Sequence, residues 1–214
     1  MEIEWLGHAC FKITGSSGIS VVTDPFEGRD VGYKTPEVAA DVVLVSHEHF
    51  DHNKAHVVKG RPAVIRSVGL HRVKGIDVKG IQSYHDDAKG AKRGKNIIYS
   101  FELDGIGVAH LGDLGHALSE AEAGEIGRVD VMMIPVGGYF TIGPREADKV
   151  LELIGPKVDI PMHYKTPAID FPISPVEDFL EGKANVRRVG SNRLRLNRED
   201  LPRRTEIVVL DYPR

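Results

Sequence analysis

Six consecutive residues, His47-Glu48-His49-Phe50-Asp51-His52, carry the densest chemistry in the chain. Three imidazoles and a carboxylate at this spacing form a metal-ligand set, and nitrogen and oxygen donors of this kind suit zinc, manganese or iron. In extended chain His47 and His49 face the same way and can grip one ion, while Asp51 and His52 turn away toward another. Two metals are therefore geometrically natural. A solvated loop would have no use for four ligands at such spacing, least of all with further histidines and aspartates placed at later strand ends.

The elements around the motif explain how it is presented. Asp41 to Ser46 is a short apolar run of the kind that makes a buried strand, so the histidines begin where that strand stops. Phe50 to Lys59 has helical composition, and a helix there would turn its positive N-terminal end toward the site. Upstream, Ile3, Trp5, Ala9, Phe11 and Ile13 alternate through a hairpin that turns at Gly15 to Gly18 and resumes from Ile19 to Thr23. Downstream, strands are expected at 62–66, 76–83, 97–103, 106–110, 129–135, 158–162, 186–189, 193–196 and 206–211. Capping-box patterns open helices at Ser119 and Ser174, and Pro144 to Gly155 bounds a third.

His-x-His-x-Asp-His after an apolar strand resembles the signature of the metallo-β-lactamase-fold superfamily. Gly7-His8-Ala9-Cys10-Phe11, Thr23-Asp24-Pro25-Phe26, His110-Leu111-Gly112-Asp113, Pro135-Val136-Gly137-Gly138 and Pro161-Met162-His163-Tyr164 extend the likeness to small metal-dependent hydrolases related to ascorbate-6-phosphate lactonase. The resemblance implies an α/β (α+β) fold, a four-layer αββα sandwich, with residues 1–214 as one domain. It implies that His47, His49 and a third histidine hold a first divalent ion, that Asp51, His52 and His163 hold a second, and that Asp113 bridges them. His85 and His110 both compete for the third position; His85 is favoured, following a strand and lying well before Asp113. His110 would then act behind the ligands.

The implied cofactors are two divalent ions, zinc foremost, with manganese, iron or nickel as alternatives. Two such ions less Asp51, Asp113 and a bridging hydroxide leave a centre of about +1, which attracts anions. The expected function is a metal-dependent hydrolase that turns a metal-bridged hydroxide on a small anionic substrate, a phosphodiester or a phosphorylated lactone or ester. Asp51, His8 and His110 are the candidate catalytic groups, and Arg93, Lys165 and Tyr139 the candidate substrate contacts. Asp24 is expected behind the ligands as a hydrogen-bond acceptor for an imidazole. Lys89, Lys92, Arg93 and Lys95 form a charge cluster that reads first as a solvated face, the alternative being a lid hinged at Gly90 and Gly94 whose cations meet the substrate anion. His116 reads as a solvent-facing loop residue.

Composition narrows the alternatives. The formal net charge of −3 supplies no basic field for nonspecific nucleic-acid binding, so a nuclease acting on RNA or DNA ranks second. A non-catalytic metal-bound sensor and an iron redox enzyme are the other readings. Cys10 is the only cysteine, which excludes a thiolate cluster and an internal disulfide and leaves a small core residue. The first residues lack a secretory pattern and no apolar run reaches the roughly 20 residues of a bilayer span, so a cytoplasmic protein with no membrane contact is expected. A homo-oligomer is allowed, but no stripe of residues declares an interface.

Overall fold

The computed structural model describes residues 1–213. In chain order its strands are β1 (Glu2–Gly7), β2 (Cys10–Thr14), β3 (Ser20–Thr23), β4 (Val42–Leu44), β5 (Ala63–Ile65), β6 (Gly69–Val73), β7 (Ile76–Tyr84), β8 (Lys95–Leu103), β9 (Ile106–His110), β10 (Val131–Pro135), β11 (Val158–Met162), β12 (Val186–Arg188), β13 (Arg193–Arg195) and β14 (Glu206–Val209). The helices are α1 (Gly28–Val31), α2 (Glu120–Ile126), α3 (Pro144–Ile154) and α4 (Val176–Leu180). Two mixed sheets result, ordered β13-β1-β2-β3-β4-β5 and β12-β14-β11-β10-β9-β8-β7-β6. They form an α/β sandwich.

Alternation along the strands decides which layers they join. On β3 and β4, Val21, Val42 and Leu44 enter the main core between the sheets, while Val22, Val43 and, just after β4, Val45 enter a second cluster with Phe26, Tyr33, Ile169 and Ile173. Both faces of β4 are therefore buried, which is why the run before the motif reads as continuously apolar. The outer cover of the first sheet is largely loop, with α1 only four residues long. The outer cover of the second is helical: α3 begins at Pro144 and stops at Gly155, whose N–H donates to Leu151 O at 2.9 Å.

Three expectations change. Phe50 to Lys59 contains only the 3₁₀ turn Ala55–Val57, so no helix dipole faces the site. Lys54 N donates to Pro25 O (2.8 Å) and Lys59 N to Val38 O (2.8 Å), ties that hold the segment against the first sheet and draw its backbone donors out of a helical ladder. Ser119 forms its capping box with Glu122, but Ser174 does not cap α4: Pro175 takes the N-cap position, Ser174 N donates to Gly137 O, and Glu177 pairs with Arg188. β6 was absent from the pattern because it is an exposed edge strand, joined to β7 by a tight turn at Lys74 and Gly75, both with positive φ.

Candidate metal centre

The site lies at one rim of the sandwich, where strand ends from both sheets meet. The first sheet supplies His8 from the turn between β1 and β2, Asp24 after β3, and His47, His49, Asp51 and His52 after β4. The second supplies His85 after β7, Asp113 after β9 and His163 after β11. Asp113 Oδ2 is the focus. The Nε2 atoms of His85, His52, His163 and His47 lie 3.1, 3.3, 3.3 and 3.8 Å from it.

Three groups of donors converge closely enough to share an ion: His47, His49 and His85; His8, Asp51, His52 and His163; and His47, His52 and Asp113. His47 Nε2, His52 Nε2 and Asp113 Oδ1 are buried without a hydrogen-bond partner among the described residues. Such atoms cost free energy unless something else satisfies them. Imidazole and carboxylate donors orphaned around a common centre fit divalent cations, and the donor set contains no sulfur.

Local electrostatics leaves most of these groups in ligand form, with His52 the exception. Burial first, and the His52 imidazole second, push His47 down to about 3. Burial and His163 lower His8 to about 4, against the pull of Asp51. Burial would raise Asp113, but His163 and His52 outweigh it and hold the carboxyl well below the usual range. Burial likewise opposes charge on His52, yet Asp113 and Asp51 hold its proton well above the ordinary imidazole range. A cation seated there would displace that proton, so binding is linked to pH.

Asp24 orders both halves of the centre. Its carboxylate accepts from Ser46 N (2.7 Å), Ser46 Oγ (2.6 Å) and His52 Nδ1 (3.1 Å), and Ser46 Oγ lies 2.9 Å from His47 Nδ1. With the hydroxyl proton given to Asp24, His47 Nδ1–H donates to Ser46 and Nε2 is left as a lone pair toward Asp113. Asn96 performs the matching task on the other sheet: its Oδ1 accepts from Asp113 N (3.0 Å), while Nδ2 donates to Ser83 Oγ and Leu111 O. His8, Asp24 and His163 all adopt positive φ, strained for non-glycine residues and concentrated at this rim.

The metal-facing cleft has a volume of about 330 Å³ and is lined by His49, Asp51, His85, Asp113 and His163, with Lys92, Arg93, Phe50, Phe140 and Phe171 around it. Arg93 stacks over Phe140 at 5.6 Å. The loop that presents it is no free lid. Asp86 accepts four backbone N–H groups, from Ala88, Gly90, Lys92 and Arg93, at 2.7–2.9 Å. Burial would raise the Asp86 carboxyl, but those donors hold it at about 2.

His110 does not join the donors. Its Nε2 bonds Ala9 O at 2.8 Å and its Nδ1 accepts from Gly112 N, so both nitrogens are spent on backbone and the residue braces the Asp113 loop. Lys165 bonds Phe171 O at 3.1 Å, Tyr139 is 65% exposed, and neither lines the metal-facing cleft. His116 is half-buried in its loop: Nε2 accepts from Tyr84 N and Nδ1 lies 3.0 Å from Ala117 O. Asn96, Ser46 and Asp86 escaped the sequence reading. The one available signal was position, since Ser46 and Asp86 each adjoin a histidine of the donor cluster.

Residues 2–163 match the family described as the β-lactamase superfamily domain. This chain belongs to that superfamily. Its relatives include a UPF0173 metal-dependent hydrolase of Archaeoglobus fulgidus, 35% identical over 78% of this chain and 84% of that protein. Another, from Methanopyrus kandleri, is 33% identical over 89% and 93%. Among solved structures, a metallo-β-lactamase superfamily protein of Thermotoga maritima, named as a candidate Zn-dependent hydrolase, shares 44% identity, covers 99% of both chains and superposes with a TM-score of 0.84. The superfamily assignment agrees with the sandwich and with donors gathered at one rim. No helix among the described residues is long and apolar enough to cross a membrane.

Proposed function

We propose that this rim hydrolyses a small anionic substrate, a phosphodiester or a phosphorylated lactone or ester. The coarser statement, a metal-dependent hydrolase of the β-lactamase superfamily, rests on the relatives of that name and on the donor cluster. The observation that carries the finer reading is Asp113 Oδ2, set among four imidazole nitrogens within 3.8 Å and between two donor groups.

His47, His49 and His85 would hold one divalent ion and Asp51, His52 and His163 the other, with Asp113 shared and His8 beside the second. Zinc is the foremost candidate, with manganese, iron or nickel as alternatives, and such ions when bound activate water near neutral pH and polarise the oxygen under attack. The chain supplies the rest. Arg93, fixed through its backbone N–H to Asp86 at 2.7 Å, offers a cation to the substrate anion, whereas Lys92 already pairs with Asp87 at 2.7 Å. Asp51 lines the cleft and is held ionised, against burial, by His52 and His8, so it can orient an attacking water. His8 Nε2 lies 3.2 Å from Asp51 Oδ2 and steers that carboxylate. Phe50, Phe140 and Phe171 restrict bulk water at the mouth.

Elemental analysis of protein purified without added metal or chelator tests the reading, with Asp113→Ala in parallel. About two equivalents in the wild type and a marked loss in the variant are expected. One equivalent retained by the variant would refute the bridging role, and no metal even after reconstitution would refute the hydrolase.

A further inference from the structure

A second cleft, of about 560 Å³, lies against the same motif and is lined by Arg66, Val68, Gln82, Arg93, Lys95 and Ile97 among others. His49 and Arg93 line both clefts. The two cavities therefore share a wall at the metal centre.

Charge in the second cleft is unbalanced. Its one carboxylate, Glu48, is already taken by Arg66, whose Nη1 donates to Oε1 at 2.8 Å and Oε2 at 2.9 Å. Lys95 opens β8 with its side chain exposed, and Arg93 rests on the Phe140 ring. Lys95 remains in excess, and Arg93 is shared between the two clefts. Gln82 spends its amide donors on Ser83 O and Asn96 O, so the cations are the donors on offer. Beneath them Val45, Ile97 and Val68 make an apolar wall, with Val68 48% exposed.

We infer that this cleft is a second substrate subsite, which takes the anionic end of a two-headed molecule whose scissile ester lies in the metal-facing cleft. Arg93 stands at the junction with its backbone anchored to Asp86, Lys95 meets the distal phosphate or carboxylate, and the apolar wall carries the carbon chain between the two heads. The substrate class narrows accordingly, from any small anionic ester to one bearing a second negative group several bonds from the bond cleaved. This rests on the hydrolase reading for the first head only.

Calorimetric titration of the zinc-loaded protein tests it, with propyl phosphate compared against terminal alkanediol bisphosphates from propane to hexane, in wild type and in Lys95→Ala. At least one bisphosphate should bind about tenfold tighter than propyl phosphate, the yield of one charge-assisted contact. In Lys95→Ala that ratio should fall to within about twofold of unity. The inference is overturned if no bisphosphate gains over the monophosphate, if none binds, or if Lys95→Ala keeps the gain. Because the ratio is read from binding, a failed hydrolase reading would show separately, as absent turnover of every ester with the ratio intact.

Discussion

Gly115 offers the sharpest test of how the centre is held together. Its N–H donates to Tyr84 O at 2.9 Å, which brings the segment after Asp113 against the chain carrying His85. A Cβ built at Gly115 would stand 2.2 Å from the His85 carbonyl carbon, 2.4 Å from His85 O and 2.4 Å from Asp86 N. Those are backbone atoms, so no rotamer change relieves the overlap, and the two segments must part by about 1 Å to restore ordinary contact. Overpacking of this kind costs about 1–3 kcal/mol, and each kcal/mol lowers the melting temperature of a chain this size by roughly 2–4 °C. The displacement falls on His85, so on the two-ion reading proposed above Gly115→Ala should weaken the ion that His47, His49 and His85 would hold by about 10–100-fold. The ion near Asp51, His52 and His163 should be affected far less. Competition against a chromophoric chelator, read as two successive equivalents, measures both, and thermal unfolding of the metal-free protein measures the strain. Wild-type affinities for both equivalents with an unchanged melting temperature would refute the reasoning.

Asp24→Asn replaces a carboxylate that accepts three hydrogen bonds with an amide whose NH₂ cannot accept from His52 or from the Ser46 hydroxyl; both equivalents should weaken by about 10–100-fold in the same chelator competition. Asp159 is fully buried on β11 with neither oxygen hydrogen-bonded among the described residues, and burial first of all raises its pKa well above the usual carboxylate range. The native state thus keeps a proton that the unfolded state loses. Stability falls as pH rises from the unfolded value near 4 to the raised native one. Asp159→Asn should gain stability over the wild type in urea melts at pH 8 by a margin that narrows toward pH 5, and a margin independent of pH would contradict this.

Much of the centre was legible because ligand chemistry is local in sequence. His47 to His52 is a strand end followed by four donors, and Asp113 and His163 each follow an apolar strand of five residues. That His85 and not His110 faces the other donors follows from something no spacing encodes: His110 closes β9, and its ring is consumed by Ala9 O from the other sheet. Long-range backbone contacts also erased the expected helix at 50–59, where tertiary ties to Pro25 and Val38 override helical composition. Lys165 lay near His163 in sequence, but the turn at His163 sends its side chain to Phe171 O. Asn96 and Asp86 were invisible for a related reason. Polar residues that accept from backbone amides look like ordinary strand or loop residues until the fold closes around them.

The donors that surround Asp113 come from opposite sheets in each half of the centre: His47 and His49 face His85, and Asp51 and His52 face His163. The centre is therefore a seam as well as a reagent. Tyr99 adds a stitch close by, reaching from β8 to donate to Val45 O at 2.9 Å and Ile65 O at 3.1 Å across the sandwich. An ion held there fastens one sheet to the other, and only the closed sandwich can bind it. At a free ion concentration a hundred times its dissociation constant, each such rivet would add about 2.7 kcal/mol to the folded state. The supply of metal in the surroundings would then set how long the two halves stay together, and a starved molecule would come apart along the edge where its chemistry is done.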